Sequence, residues 1–351
     1  MTDQGIMISI TRIFRLSMRV ARWAEPHVKE WRRKRHLHRT EGRRHLDARN
    51  WAEAEKEFKL ALAERRHSGG RRSELLLNLE QAQRRQRKLV EAAESAQAAL
   101  EIASGRSLRA RAQDALLDIQ LEQGQYAEAE QSISEILRSE HAEARPDGVR
   151  VAQSYRKLGT ARLQAGRKPE ALEAFRQAAE MAEQVFGAEH AETAQSFADL
   201  GALLRDQGDH SEAQRHLRRA LDIHRAASGL DSQKATQGLY QLASSLEESG
   251  DLDGAAAEFE RLLALRARQV GVNPLENAGT QVRLAGLYLQ AGRLGPAKEL
   301  LNHAIGVLER GGGQPLAQAL QMLAYVEEQS GRPEEANRWR EVASSLVSAG
   351  A

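Results

Sequence analysis

The sequence predicts an all-α protein built from about eight consecutive helix–turn–helix repeats. Only 7 of the 351 residues are proline, and Ala, Leu, Arg, Glu and Gln are abundant, which is typical of helices. Aromatic residues make up 4% of the chain, so Ala and Leu must supply most of the core and the helices must pack closely. Small residues also recur at fixed steps, and these steps divide the chain into repeats.

One short motif marks each repeat. It runs through a turn into the next helix, as in "DQGDHSEA", and its copies end at Ala54, Ala92, Ala129, Ala171, Ala213, Ala255, Ala297 and Ala336. Four of the seven spacings between copies are 42 residues, and the others are 37, 38 and 39. The first two copies, "DARNWAEA" and "RQRKLVEA", fit the pattern least well.

Two helices are predicted in each repeat. Apolar residues recur at helical spacing before the turn, as at Leu200, Leu203 and Leu204, and again after it, as at Leu217 and Leu221. We expect the small residues to let the two helices of a pair approach closely. One larger residue of each second helix then fills the space between neighbours, for example Phe58, Phe175, Leu217, Phe259 or Leu301.

The ends of the helices also have sequence signals. A turn glycine such as Gly208 is expected in the left-handed conformation that ends a helix at no steric cost. Pro169 and Pro333 fall in the first turn of a second helix, where a missing N–H does no harm. His190 is expected to pack between repeats or to cap a helix.

In this order, the small residues, the turn glycine and the large apolar residues resemble the tetratricopeptide repeat. The 42-residue repeats are similar to the kinesin light chain subtype, since "GAEHAETA" at 187–194 matches its Gly-x-x-His-x-x-Thr-Ala run. The resemblance covers about residues 35–351 and implies a right-handed superhelical solenoid of antiparallel helix pairs. The repeats are expected near residues 35–68, 73–106, 110–143, 152–187, 194–229, 236–271, 278–311 and 317–351.

The resemblance implies that the first helices line a concave groove that binds a peptide or protein partner. The binding positions of the family's repeat frame fall here on Arg39, Arg43, Asn78, Arg111, Arg156, Lys157, Thr160, Arg205, Tyr240, Ser244, Arg283 and Tyr325. The first four partly resemble a clamp for a C-terminal carboxylate. Arg43 stands where that clamp has Asn, however, and Ala115 where it has a basic residue. The subtype's ladder of groove asparagines is absent as well.

The first 34 residues form a separate arm in this interpretation. Residues 1–50 contain 13 basic and 5 acidic residues, whereas the remainder has 38 basic and 44 acidic residues. On a helix over residues 5–23, four arginines fall on one arc: Arg12, Arg15, Arg19 and Arg22. The opposite side is apolar and includes Ile10, Phe14 and Trp23. The segment lacks a signal-peptide cleavage site, and it is too short and too charged to span a bilayer.

Three interpretations of the arm stay open. It caps the first repeat, or it lies on an anionic membrane surface, or it is a targeting presequence or partner-binding helix. Capping would need no partner, because the arm would fold back on the repeats. A membrane-bound arm would make the protein a peripheral adaptor whose repeats recruit another protein.

Enzymatic chemistry finds no support in the sequence. The chain has no cysteine, no His-Glu-x-x-His, no phosphate-binding glycine loop and no Gly-x-Ser-x-Gly. We therefore expect no catalytic residues, no metal site and no cofactor. Nucleic-acid binding through the basic arm is the least favoured alternative, and nucleic acid is not an expected partner, because an acidic body would repel phosphate. The expected function is that of a non-enzymatic interaction scaffold or adaptor, in the cytoplasm of a bacterium.

Overall fold

The structure is a computed structural model that describes residues 37–63, 68–229, 232–269, 271–310 and 313–349. Within these ranges every regular element is an α-helix, and no strand occurs. The first helix, α1, covers residues 37–47. The other fifteen follow in order: α2 Trp51–Ala63, α3 Gly69–Arg85, α4 Leu89–Glu101, α5 Arg106–Glu122, α6 Tyr126–Ala142, α7 Gly148–Gln164, α8 Lys168–Phe186, α9 Ala191–Asp206, α10 His210–Ser228, α11 Gln233–Glu248, α12 Leu252–Arg266, α13 Pro274–Gln290, α14 Leu294–Leu308, α15 Gln314–Gln329 and α16 Pro333–Ala349.

Consecutive helices pair across the turns that the motif predicts. The turn between α9 and α10 has Gly208 at φ +85°, which confirms the expected left-handed glycine. The Gly208 N–H donates to the Arg205 carbonyl at 2.9 Å. Asp209 then caps α10, because its side chain accepts a hydrogen bond from the Glu212 N–H at 3.2 Å. In the first two repeats the same position holds Arg49 at φ +59° and Arg87 at φ +64°.

Close approach of the two helices in a pair explains the small residues. A Cβ atom added at Gly159 of α7 would lie 2.7 Å from the ring of Phe175 of α8, which is closer than real Cβ contacts. Gly201 stands in the same relation to Leu217, at 2.8 Å, and Gly42 to a phenylalanine ring of α2. The glycine therefore makes the room that the large residue of the second helix fills, as the sequence predicts.

His190 is the N-cap of α9. Its Nδ1 atom accepts a hydrogen bond from the Glu192 N–H at 3.1 Å, and its ring stacks on Phe186 with the centroids 4.8 Å apart. Thr193 donates to the Gly187 carbonyl at 2.8 Å. The "GAEHAETA" run therefore joins the end of α8 to the start of α9, and the expected packing and capping role of this histidine is confirmed.

The chain divides into two compact units within the last turn of α6, one ending at Ser139 and the other beginning at Glu140. In the first unit, Phe58 and Leu75 are fully buried where α2 packs on α3. In the second unit, a continuous core includes Leu239 and Phe259 and runs from α10 to α16. No described helix is long and apolar enough to cross a bilayer.

Candidate functional site

All twelve residues predicted to line the groove lie on first helices, the odd-numbered helices of the repeats. In each compact unit we call the surface that these helices form the first-helix face. Its exposed predicted residues are Arg43, Arg111, Thr160 and Tyr325. Those that are half-buried are Arg39, Asn78, Arg156, Lys157, Arg205, Tyr240 and Arg283. The positions of these residues on first helices therefore agree with the family's repeat frame. Their contacts, however, separate those that pair within the chain from those that line a cavity.

In the second unit three of the predicted residues, Tyr240, Ser244 and Arg283, bind one another. Arg283 of α13 donates through Nη1 to the Tyr240 hydroxyl and to Ser244 Oγ, each at 2.9 Å. Its Nη2 atom donates to the Glu247 carboxylate. The guanidinium also lies 5.3 Å from the Tyr240 ring and 5.1 Å from the Phe259 ring. This arginine is satisfied within the chain and ties α11 to α13.

The expectation that Ser244 meets a partner is wrong. Its side chain is 1% exposed, because α11 turns it towards the packed interface with α13. There it accepts the hydrogen bond from Arg283. Tyr240 and Arg283, which are also predicted to line the groove, are both half-buried in the same network.

Other predicted arginines pair with carboxylates of the next first helix. Arg156 of α7 lies 3.8 Å from Asp199 of α9, and Arg205 of α9 lies 3.6 Å from Glu248 of α11. Arg43 of α1 binds Glu74 of α3 in the same way, at 2.5 Å. Much of the first-helix face thus carries arginines that are already neutralised.

Two predicted groove residues differ from these paired arginines, because they line a cavity between α3 and α5. It lies within the first unit and has a volume of about 300 Å³. Two predicted groove residues, Asn78 and Arg111, line it together, whereas Arg39 and Arg43 do not. Its other lining residues are Leu77, Glu80, Gln81, Arg84, Arg85, Asp114, Ala115 and Asp118.

Two polar atoms in this wall lack hydrogen-bond partners among the described residues. Asn78 Nδ2 and Glu80 Oε1 are both shielded from water, and neither is hydrogen-bonded. Glu80 as a whole is 5% exposed. Buried polar groups in native proteins are nearly always paired, and an unpaired one is destabilising by about 1–3 kcal/mol. Each of these two groups therefore calls for a hydrogen-bond partner that the described residues do not supply.

The charges around Glu80 are unevenly shared. Arg84 donates to Glu122 Oε1 at 2.8 Å and to Asp118 Oδ2 at 3.2 Å, but its nearest approach to Glu80 is 3.9 Å. Burial raises the pKa of Glu80 to about 7; Arg84 opposes this effect, and Asp118 and Glu122 add to it. This carboxyl group is therefore near half-ionised at neutral pH.

Reasoning from sequence missed Glu80, Arg84 and Asp118. A glutamate followed four positions later by an arginine is typical of a solvated ion pair on a helix surface. Glu80 is buried by the packing of α3 against its neighbouring helices, α5 among them, and no local pattern reports that packing. Within the described ranges, no group of three or more His, Asp or Glu side chains is arranged to hold a metal ion.

The predicted arm falls outside the described residues. This applies to all of its named positions: Arg12, Arg15, Arg19, Arg22, Ile10, Phe14 and Trp23.

Sequence comparison identifies the repeats independently. Two family models described as tetratricopeptide repeat match the chain, one at residues 108–184 and 150–226 and the other at residues 39–107 and 198–269. Together they cover residues 39–269, which is more than half of the chain. No curated protein matches the sequence.

Solved structures with the same fold are numerous. The apo form of RapI has a TM-score of 0.65 at 16% identity, covering 79% of this chain and 77% of its own. BtubC (BKLC) from P. vanneervenii has a TM-score of 0.57 at 19% identity, covering 65% and 92%. A putative kinesin light chain from Podosopora anserina has a TM-score of 0.50 at 19% identity, covering 56% and 95%. At such identities the likeness shows the fold alone, an all-α repeat solenoid. With the two family models covering residues 39–269, the chain belongs to the tetratricopeptide repeat family.

Proposed function

We propose that this protein is a non-enzymatic scaffold that binds a peptide segment of a protein partner in the cavity between α3 and α5. Proteins of the family generally serve as protein-interaction scaffolds. The observation that carries the proposal is the pair of orphaned polar atoms, Asn78 Nδ2 and Glu80 Oε1, in the wall of an open cavity. A partner would complete their hydrogen bonding.

The cavity offers what an extended peptide needs. Leu77 and Ala115 supply apolar surface, and Asn78 supplies a buried donor for a peptide carbonyl. Arg111 is exposed at the wall, where it can reach a polar group of the partner. Arginine is enriched among the side chains that dominate binding energy at interfaces. The volume of about 300 Å³ is at the lower end of small-ligand sites and suits one or two side chains.

The second unit offers fewer side chains that are available to a partner. Arg205 and Arg283 already bind carboxylates of the chain, so a partner would have to compete with those contacts. Exposed Tyr325 of α15 remains an available aromatic contact there. We therefore assign the primary site to the first unit.

Random peptides displayed on phage test this proposal. Peptides are selected on the full-length chain and then re-tested against Gln81→Trp, which places a large side chain on an exposed residue of the cavity wall. The matched control is Gln97→Trp, which makes the same change at an exposed position of α4 outside the cavity. We expect Gln81→Trp to abolish binding and Gln97→Trp to preserve it. Equal binding to both variants would contradict the proposed site.

Membrane docking is a separate proposal that depends on the sequence of residues 5–23. The four arginines on one arc would each contribute about 1 kcal/mol near an anionic surface, and this attraction weakens with salt. Sedimentation of the full-length chain with anionic vesicles at low and high salt tests it. Absence of the chain from the vesicle pellet at low salt would rule this docking out.

A further inference from the structure

We propose that the cavity between α3 and α5 selects partner peptides that carry a lysine or arginine side chain, and that Glu80 receives its cationic group. This inference rests on the proposed function and names the chemistry of the partner. It departs from a carboxylate-binding site, which the sequence frame of Arg39, Arg43, Asn78 and Arg111 partly resembles.

The contacts of Glu80 favour a cation. The carboxylates of Glu80, Asp118 and Glu122 surround the guanidinium of Arg84, but only that of Glu80 is buried. Arg84 is hydrogen-bonded to the two on α5 and only approaches Glu80. A second cationic group beside Glu80 would supply the missing charge and a hydrogen-bond donor at once.

Because Glu80 is buried, its charge should interact more strongly with an incoming cation than the charges nearer the solvent do. Glu80 is 5% exposed, so its interaction with a cation is weakly screened by water. Arg85 and Arg111 are exposed lining residues, so solvent and salt screen their repulsion of an incoming cation. An incoming carboxylate would instead face Glu80, Asp114 and Asp118 in the cavity wall.

Asn78 gives the peptide a second anchor. Its unpaired Nδ2 donor matches a backbone carbonyl, which every peptide presents next to its side chains. The side chain of the partner would therefore be read by Glu80, while Asn78 holds the main chain. This division explains why one orphan in the wall is a donor and the other an acceptor.

Binding of a cation should release a proton. The charged groups that act on Glu80 are Arg84 of its own helix and Asp118 and Glu122 of α5. No titratable group of α1, α2 or α4, the other described helices that contact α3, contributes a resolved effect. The pKa of Glu80 is about 7 in the unbound chain, so this carboxyl group is mainly protonated at about pH 6 and mainly ionised at about pH 8. Affinity for a basic peptide should rise about tenfold between these two values.

The test uses peptides that bind the full-length chain and fail on Gln81→Trp. We expect a Lys or Arg at one shared position, and replacement of this Lys by the neutral norleucine should weaken binding about tenfold or more. Calorimetry at about pH 6 and about pH 8 should show the rise in affinity. Glu80→Gln should remove both the pH dependence and the preference for Lys. Glu94→Gln, the same change at an exposed position of α4, should alter neither.

The possible outcomes separate the two proposals. Neutral or acidic anchors in peptides that Gln81→Trp excludes would overturn the cation preference and leave the groove site intact. The same conclusion follows if Glu80→Gln binds Lys peptides as tightly as the unaltered chain. Should no selected peptide be sensitive to Gln81→Trp, both proposals fail. Thermal unfolding checks that Glu80→Gln is folded. We expect it to be, because burying a neutral amide costs less free energy than burying a carboxylate.

Discussion

Arg283 of α13 donates a hydrogen bond to the Tyr240 hydroxyl of α11 at 2.9 Å and stacks against the same ring at 5.3 Å. The two residues come from adjacent repeats, 43 positions apart. Contacts with Glu247 and Tyr240 raise the pKa of Arg283 despite its partial burial, so the guanidinium stays charged. The pair is therefore a link between repeats, in addition to any contact that it makes with a partner.

Loss of this link should destabilise the second unit. We expect Arg283→Ala to lower the free energy of unfolding by about 1–3 kcal/mol, because Tyr240, Ser244 and Glu247 lose their donor. Tyr240→Phe keeps the ring and should cost less. Chemical denaturation of the three proteins measures the difference. An unchanged midpoint for Arg283→Ala would show that the network adds no stability.

Substitutions at helical glycines should have opposite signs according to what faces them. Gly159→Ala would press a methyl group into the Phe175 ring, so we expect destabilisation of about 1–3 kcal/mol. Gly306→Ala in α14 meets nothing within 4 Å and should stabilise by up to about 1 kcal/mol through helix propensity. Melting temperatures of the two variants, measured side by side, test this prediction. Equal shifts in one direction would contradict the packing explanation.

Substitution in the irregular turns of the first two repeats should increase stability. Arg87 has φ +64°, which is strained for a residue with a side chain, so Arg87→Gly should stabilise by about 0.5–1 kcal/mol. Conversely, Gly208→Val places a side chain on a residue at φ +85° and should destabilise by roughly 1–2 kcal/mol. Denaturant midpoints report both. Destabilisation by Arg87→Gly would mean that the arginine makes a contact that outweighs its backbone strain.

Stability should depend on pH through Glu80. Its pKa rises from 4.5 to about 7 on folding, so the folded chain binds more protons between these values and this group makes stability fall as pH rises. The Glu80→Gln variant lacks this pH-dependent loss of stability. Its advantage over the unaltered chain should therefore grow from about pH 4 to about pH 8, by up to roughly 3 kcal/mol. Unfolding free energies at both pH values test this, and a constant difference, as expected for Glu94→Gln, would contradict the burial of Glu80.

Local patterns were sufficient to predict the repeats, because each feature depends on residues close in sequence. Gly208 ends a helix through its own backbone, and Gly159 meets Phe175 only 16 positions later. The pairing of Arg156 with Asp199 spans 43 positions, one more than the repeat length. That offset is a signal that could have been searched for once the repeat was recognised.

The chemistry of the cavity was less predictable. Asn78 and Arg111 were placed correctly on first helices by the repeat frame, but nothing in their spacing shows that they share a cavity. Glu80 was missed because its burial depends on how α5 packs against α3. Ser244 was misassigned because the frame gives a position along a helix and not the depth of the side chain.

Photo-crosslinking tests the central claim, binding at the first-helix face of the first unit, most directly. A benzophenone amino acid replaces Arg111, Gln97 or Tyr325 in turn in the full-length chain, and each protein is irradiated with the peptide that it binds most tightly. All three positions are exposed, so they are equally open to contact. We predict crosslinking from position 111 in the cavity wall and none from position 97 on α4 or position 325 on α15. Crosslinking from position 97 or 325, with none from position 111, would contradict the account.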